Sequence, residues 1–400
     1  MLAAVPRAPL DGCQAARNVD REVEVTQVNA TQLLRRLEDF RLLPFFVIFS
    51  MALGIIIGKM SNISNFELTP PIDAIKSIFA GTYVFSLPNT LALGVVVGLF
   101  MMMYPAMTNV RLDELGDAFR KPKQLLIVAF FNYLIAPFFM LGLAKLFLSG
   151  NTDLMTGLIL YGIAPCIAMV IIFTFLAKGN TPLALVLVAF NSVIQMILIP
   201  FYANLLLGEV HFDVWVIAES VVLYLGLPLV LGFATRQIGI KRVGEEGFEK
   251  FKTALNAVSI LGLLFTLVVM FALKGDMIIQ EPMIVVQMAI PMIIFFFVMF
   301  NVAYFTGWKL GLDYRDSVAV AFNSTGRDFE IAIAIAITAF SPTVALATVV
   351  GPLIEVPVML TLVWIATRTE KRLFGTSVHE AEQLVPARAA AVPEGQRASR

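Results

Sequence analysis

The sequence predicts an all-α membrane protein of about ten transmembrane helices, arranged as two inverted five-helix repeats. Three observations carry this expectation. Hydrophobic residues make up 58% of the chain and charged ones 14%, against about 25% charge in a soluble domain, and the mean hydropathy is +0.84. Apolar stretches of about 20 residues, the length that crosses a ~30 Å hydrocarbon core, recur along the chain. Lys and Arg collect in alternate loops, as they do where every second loop is cytoplasmic.

The spans are expected at 42–60, 82–107, 123–148, 154–176 and 181–207, and then at 213–235, 254–273, 283–310, 315–338 and 342–366. The ninth of these, 315–338, is the least hydrophobic. An even number of spans puts both termini on one side. That side gathers eighteen basic residues, among them Arg35, Arg36 and Arg41, Arg120, Lys121 and Lys123, and Arg368, Lys371 and Arg372, whereas the other holds only Lys59, Lys76, Lys145 and Lys274. Both termini are therefore expected in the cytoplasm, with the body of the chain in the cell (plasma or inner) membrane. Residues 1–41 read as a polar tail without the apolar region and cleavage site of a secretion signal. Residues 375–400, rich in Ala, Pro, Glu and Arg, read as a disordered tail. Between them, 42–207 and 208–374 form the two repeats. The zero net charge argues against a nucleic-acid partner.

Five is odd, so a duplicated five-span unit enters the bilayer upside down relative to its twin, as in many secondary transporters. At an offset of 160, Thr181-Pro182 falls on Ser341-Pro342, Pro165-Cys166 on Thr325-Gly326, and Gln195 on Glu355. Helix-breaking residues coincide there: Gly162 and Pro165 interrupt the fourth span, and Gly326, with Asn323 and Ser324, interrupts the ninth. One break alone is an ordinary kink. Two in corresponding spans point to a solute site, because freed backbone groups at membrane depth must line protein or a water-filled cavity.

Several side chains near the breaks carry chemistry. Cys166 follows the first break, where the N-terminal end of a half-helix favours a thiolate, a soft ligand for thiophilic species. A lone membrane cysteine is more often a small hydrophobe. Arg327, Asp328 and Glu330 cluster after the second break, and Glu355 lies mid-span between Pro352 and Pro357. Charges within spans are costly and usually functional, and a buried carboxyl suits a proton carrier. The competing reading is an internal pair between Arg327 and a carboxylate, although one Arg cannot neutralise three acids. Glu219 sits near the outer end of its span and reads as interfacial. An enzyme is not expected: the histidines are His211, in a short loop, and His379, in the tail, so Cys166 has no base partner. No Gly-rich phosphate loop with its Lys is present. No cofactor is expected. A second cysteine, Cys13, lies in the polar tail and is not expected to reach Cys166.

The stretch Ala164-Pro165-Cys166-Ile-Ala-Met-Val170 resembles the arsenite efflux permeases of the bile acid/arsenite/riboflavin transporter superfamily. Met102-Met-Tyr-Pro105, Ala189-Phe-Asn-Ser-Val-Ile-Gln195, Phe329-Glu-Ile-Ala-Ile-Ala334 and Val349-Val-Gly-Pro-Leu-Ile-Glu-Val-Pro357 add to the likeness, which covers about 42–374. The resemblance implies a panel of helices beside a core of two crossed, broken helices. It also implies export of arsenite, and of antimonite, in exchange for protons. By motif match, Cys166 takes the metalloid-contacting role and Glu330 that of the essential acid. Pro165, Gly326 and Asn323 complete the expected substrate site, and Glu355, Asp328 and Arg327 the expected coupling site. One departure stands out: the permeases typically carry two Asn where this chain has Arg327-Asp328. A sodium-coupled organic-anion symporter like the bile-acid branch is the rival expectation, and an uncoupled pore or receptor a third. The stretch between Leu183 and Pro200 offers sodium only Asn191, Ser192 and Gln195 as side-chain oxygen donors.

Overall fold

The computed structural model describes residues 43–61, 87–110, 120–167, 169–208, 210, 212–280 and 282–375, with scattered residues between 73 and 82 and Gly116. Both tails, with Cys13 and His379, and the loop residue His211 lie outside the described residues. The first half of the chain forms α1 (Leu43–Ser61), α2 (Leu87–Thr108), α3 (Pro122–Leu148), α4 (Thr152–Ile163), α5 (Met169–Leu176) and α6 (Thr181–Leu206). In the second half, α7 (214–243) and α8 (245–280) are divided at Gly244, whose φ of 74° and ψ of 173° no helix accommodates. Then come α9 (Met283–Lys309), α10 (Tyr314–Thr325), α11 (Phe329–Ala339) and α12 (Pro342–Phe374).

Among the described residues, five helical stretches are long and apolar enough to cross a membrane: α3, α6, Val214–Glu245, α9 and Thr343–Phe374. Shorter apolar helices occupy Ile48–Met60, Leu93–Thr108, Thr152–Ile163, Ala257–Ala272 and Phe329–Ala339. The low hydrophobicity of the ninth stretch has a physical reason. In α10 every residue from Asp316 to Thr325 is buried, against α9, α6, α3 and α5, so lipid never meets its side chains and polar ones are tolerated. Helix α12 runs two turns beyond the expected 366. Lys371 and Arg372 sit in its last turn, where the dipole favours cations, and Gly375 ends it at φ 75°.

The helices fall into two groups. Helix α8 lies along α1 and α2, and the contact is close because it is made at small residues. A Cβ on Gly54 or Gly58 would collide with α8 backbone at Val268 or Ala272, and one on Gly262 would meet the backbone of α2. In the other group α9 packs on α10 and α12, α4 on α3 and α12, and α11 on α12. The short helices α4, α10 and α11 each start on a side-chain cap, which satisfies amide groups that the helix itself leaves unpaired. Asn151 accepts from Leu154 N–H, Asp313 from Asp316 N–H and Asp328 from Ile331 N–H. The long helices after the breaks are capped alike, α6 by Asn180 and α12 by Ser341, each with a proline in the first turn.

The two interrupted helices meet at their breaks. Cys166 N–H donates to Gly326 O at 3.0 Å and Asp328 N–H to Ala164 O at 2.8 Å, forming an isolated antiparallel bridge between Pro165 and Arg327. In this antiparallel crossing Cys166 lies opposite Gly326, and Ala164 opposite Asp328. Register within a broken segment is set by backbone hydrogen bonds, which side-chain similarity does not report. Outside the crossing, the first turns of α10 and α4 are tied to the caps of the long helices. Asp316 Oδ1 accepts from Asn180 Nδ2 at 2.6 Å, and Asp153 Oδ2 accepts from Ser341 Oγ at 3.3 Å.

Candidate functional site

All eight residues singled out from the sequence are buried: Pro165, Cys166, Asn323, Gly326, Arg327, Asp328, Glu330 and Glu355. The chain interruption explains how two of them meet. Gly326 leaves α10 in an extended conformation, and a Cβ there would overlap Val170 Cγ1 and lie 3.1 Å from Cys166 Cβ. Only a glycine lets the second break come this near the thiol of the first. Cys166 is a buried thiol, placed by its own N–H at the crossing.

Glu355 reaches the crossing from α12. Its Oε2 accepts from Tyr161 OH at 2.5 Å and its Oε1 from the backbone N–H of Arg327 at 3.3 Å. Tyr161, one turn before Pro165, is fully buried, and its ring lies where a Cβ on Gly351 would be. Asp328 caps α11 through Oδ1, while its Oδ2 has no protein partner among the described residues. Glu330 follows on the first turn of α11, and no hydrogen bond engages its carboxyl among the described residues. Asp328, Glu330 and Glu355 are thus three buried carboxyls, two of which already have donors.

The Arg327 side chain makes no ion pair among the described residues. It is fully buried and surrounded by neutral oxygens. Nε donates to Thr325 O at 3.1 Å, Nη1 to Gly162 O at 3.2 Å, and Nη2 to Ser324 O at 2.7 Å and to Asn132 Oδ1 at 2.6 Å. Its guanidinium carbon lies 5.3 Å from the centre of the Phe295 ring, within cation–π range. The Arg–carboxylate pair weighed from the sequence is thus absent among the described residues: the charge rests on carbonyls of both breaks, and Glu355 and Asp328 find other donors.

Asn132 and Tyr133 belong to this network but were not singled out from the sequence. They lie in a π-helical turn of α3, Phe130–Ile135, that the next residues explain. Pro137 has no N–H for Tyr133 O, the acceptor four residues back; Ala136 N–H bonds to Phe131 O five residues back, and the Tyr202 hydroxyl serves Tyr133 O instead. Such a turn re-aims side chains and recurs at functional sites. Here Asn132 Nδ2 reaches Asn323 O at 2.9 Å and Asn191 Oδ1 at 3.4 Å, and Tyr133 OH reaches Asn191 Oδ1 at 3.2 Å. The available signal was an Asn-Tyr pair inside an otherwise apolar span; nothing in the sequence showed which way it faces. Phe295, one of many phenylalanines, carried no signal at all.

Unpaired polar atoms gather beside this network. Gln195, one turn beyond Asn191 on α6, is 0% exposed, and among the described residues neither its Oε1 nor its Nε2 has a partner. Asn191 Nδ2, Asn323 Oδ1 and Ser324 Oγ are likewise buried and unpaired among the described residues. Glu219, expected at the outer surface, forms an exposed ion pair with Lys76 at 2.8 Å.

Comparison with known proteins finds relatives of this chain among transporters and arsenical-resistance proteins. The pattern of the sodium bile acid symporter family matches residues 96–281. An arsenical-resistance protein, Acr3, of Corynebacterium glutamicum is 35% identical over 347 residues, 83% of this chain and 90% of that one. Acr3 of Alkaliphilus metalliredigens is 34% identical over 320 residues, 74% of this chain and 89% of its own length. An uncharacterised transporter of Synechocystis is 36% identical over 299 residues, 69% of this chain and 78% of that one.

Proposed function

The chain belongs to the arsenite efflux permease family, and on that premise we propose that it is an arsenical-resistance transporter of the cell membrane that exports arsenite in exchange for protons. The carrying observation is the place of Cys166: a buried thiol whose backbone is bonded across the meeting point of two broken helices. Sulfur is a soft ligand suited to As(III). One thiol without further sulfurs holds the metalloid loosely enough to let it go, which a carrier needs. Antimonite, softer still, is a second substrate of the same site.

Arsenous acid is a neutral trihydroxy compound, so it brings hydroxyl donors and acceptors together with its metalloid. The unpaired amides of Gln195, Asn191 and Asn323 suit those hydroxyls, with Pro165 and Gly326 keeping the backbone open beside them. Glu330 is the main proton carrier, since its carboxyl has no internal partner to hold it in one state. Glu355 and Asp328 respond to it electrostatically, and Arg327 keeps both breaks in place.

The ten-span, two-repeat topology with cytoplasmic termini fits the recurrence of elements. A 27-residue helix precedes a 12-residue one in both halves, α3–α4 and α9–α10. A capped, proline-started long helix follows each break. The sodium-coupled organic-anion reading gains nothing from the site, where the buried cation is already an arginine. The deciding experiment is expression in an efflux-deficient, arsenite-sensitive cell. Export predicts restored growth and low retained arsenic, and unchanged sensitivity with full membrane expression would refute it.

A further inference from the structure

Neither arsenite contact nor proton exchange requires a guanidinium that touches no acid. An Arg at membrane depth without an ion pair is expensive, and this one is 0% exposed. Its environment explains how it is tolerated. Gly162 lies in the last turn of α4, and Ser324 and Thr325 end α10. Carbonyls in such positions lack helical donors and carry the negative end of the helix dipole. Two helix C-termini therefore converge, their carbonyls joined by Asn132 Oδ1, and the guanidinium donates to all four oxygens at 2.6–3.2 Å. The Phe295 ring faces the same charge.

Neutral backbone and amide oxygens around a single positive charge are the ligand set of a hard cation. Broken-helix carriers hold their coupling sodium in such a set, at unwound carbonyls and half-helix C-terminal ends. We propose that the Arg327 guanidinium is a tethered substitute for that ion, filling an oxygen cage that would otherwise bind sodium and so releasing this carrier from any need for it. The tether also changes what the cage can do. A sodium ion enters and leaves with each cycle and couples its own gradient to the solute. A side chain cannot leave, so its charge becomes a permanent clamp between the breaks and leaves coupling to the carboxyls. Arg327 acts as a positioning residue here, and the inference rests on the transport reading only for its consequence, not for the cage.

The test compares wild type, Arg327→Ala and Arg327→Lys, purified in detergent, by thermal unfolding in sodium chloride and in choline chloride at equal ionic strength. Wild type and Arg327→Lys, each with its cation tethered, are expected to show the same Tm in both salts. Arg327→Ala is expected to melt several degrees lower in choline and to recover part of the loss saturably as sodium replaces it. In vesicles its remaining arsenite transport should then require sodium. An Arg327→Ala protein indifferent to sodium overturns the proposal, whether it is as stable as wild type or unfolded in both salts. A sodium-rescued variant of a wild type that moves no arsenite would instead sink the transport reading and leave the cage standing.

Discussion

Gln195→Met separates a binding role from a structural one, because the two predict opposite signs. Met nearly preserves the length and volume of Gln while removing both polar ends. The Gln195 amide is fully buried, with Oε1 and Nε2 unpaired among the described residues, and burying an amide so costs about 1–3 kcal/mol by the measure of protein mutants. Removing it should therefore stabilise the substrate-free protein by about 1–3 kcal/mol, read as a rise in Tm in detergent. The same change removes one or two hydrogen bonds to a substrate hydroxyl, each worth about 0.5–1.5 kcal/mol. Together these amount to about 0.5–3 kcal/mol, or roughly a two- to 150-fold weaker half-saturation for arsenite in inverted vesicles. The assay pairs a melt without substrate with initial transport rates over a range of arsenite. A Gln195→Met protein that melts lower than wild type and transports with unchanged half-saturation would refute the reasoning, since Gln195 would then be a structural amide.

Cys166→Ser should abolish arsenite resistance at normal expression, because oxygen is a poor substitute for sulfur toward a soft metalloid; growth on arsenite and retained arsenic report it. Glu330→Gln keeps the shape and removes the proton, so it should eliminate transport driven by a pH gradient while a substrate-induced shift in Tm survives. Tyr161→Phe deletes the donor to Glu355 Oε2 and should lower stability by about 1–3 kcal/mol, and an unchanged melt would mean that another donor serves the carboxyl. Gly326→Ala should damage folding or transport more than Gly142→Ala, because a Cβ at 326 overlaps Val170 whereas one at 142 meets nothing within 4 Å.

What the sequence determined by itself is the solvent of this protein and the punctuation of its chain. Apolar runs of bilayer length are dictated by the cost of exposing backbone and charge to lipid, and that cost is local enough to read residue by residue. Gly162, Pro165 and Gly326 mark the breaks for an equally local reason, since they withdraw helix donors or helix preference at one point. Cys166, Glu330 and Glu355 were legible because polar or reactive groups in apolar spans stand out. Tertiary structure alone decided how these pieces meet. The pairing of Pro165 with Arg327 depends on backbone hydrogen bonds between segments more than 160 residues apart. The direction of the Arg327 side chain, toward carbonyls and Asn132 rather than toward the acids beside it, depends on which helix ends converge around it. Gln195 looks like any other glutamine until the fold buries it. Composition and spacing report what each residue costs in lipid; only the assembled helices report which of those costs a neighbour has already met.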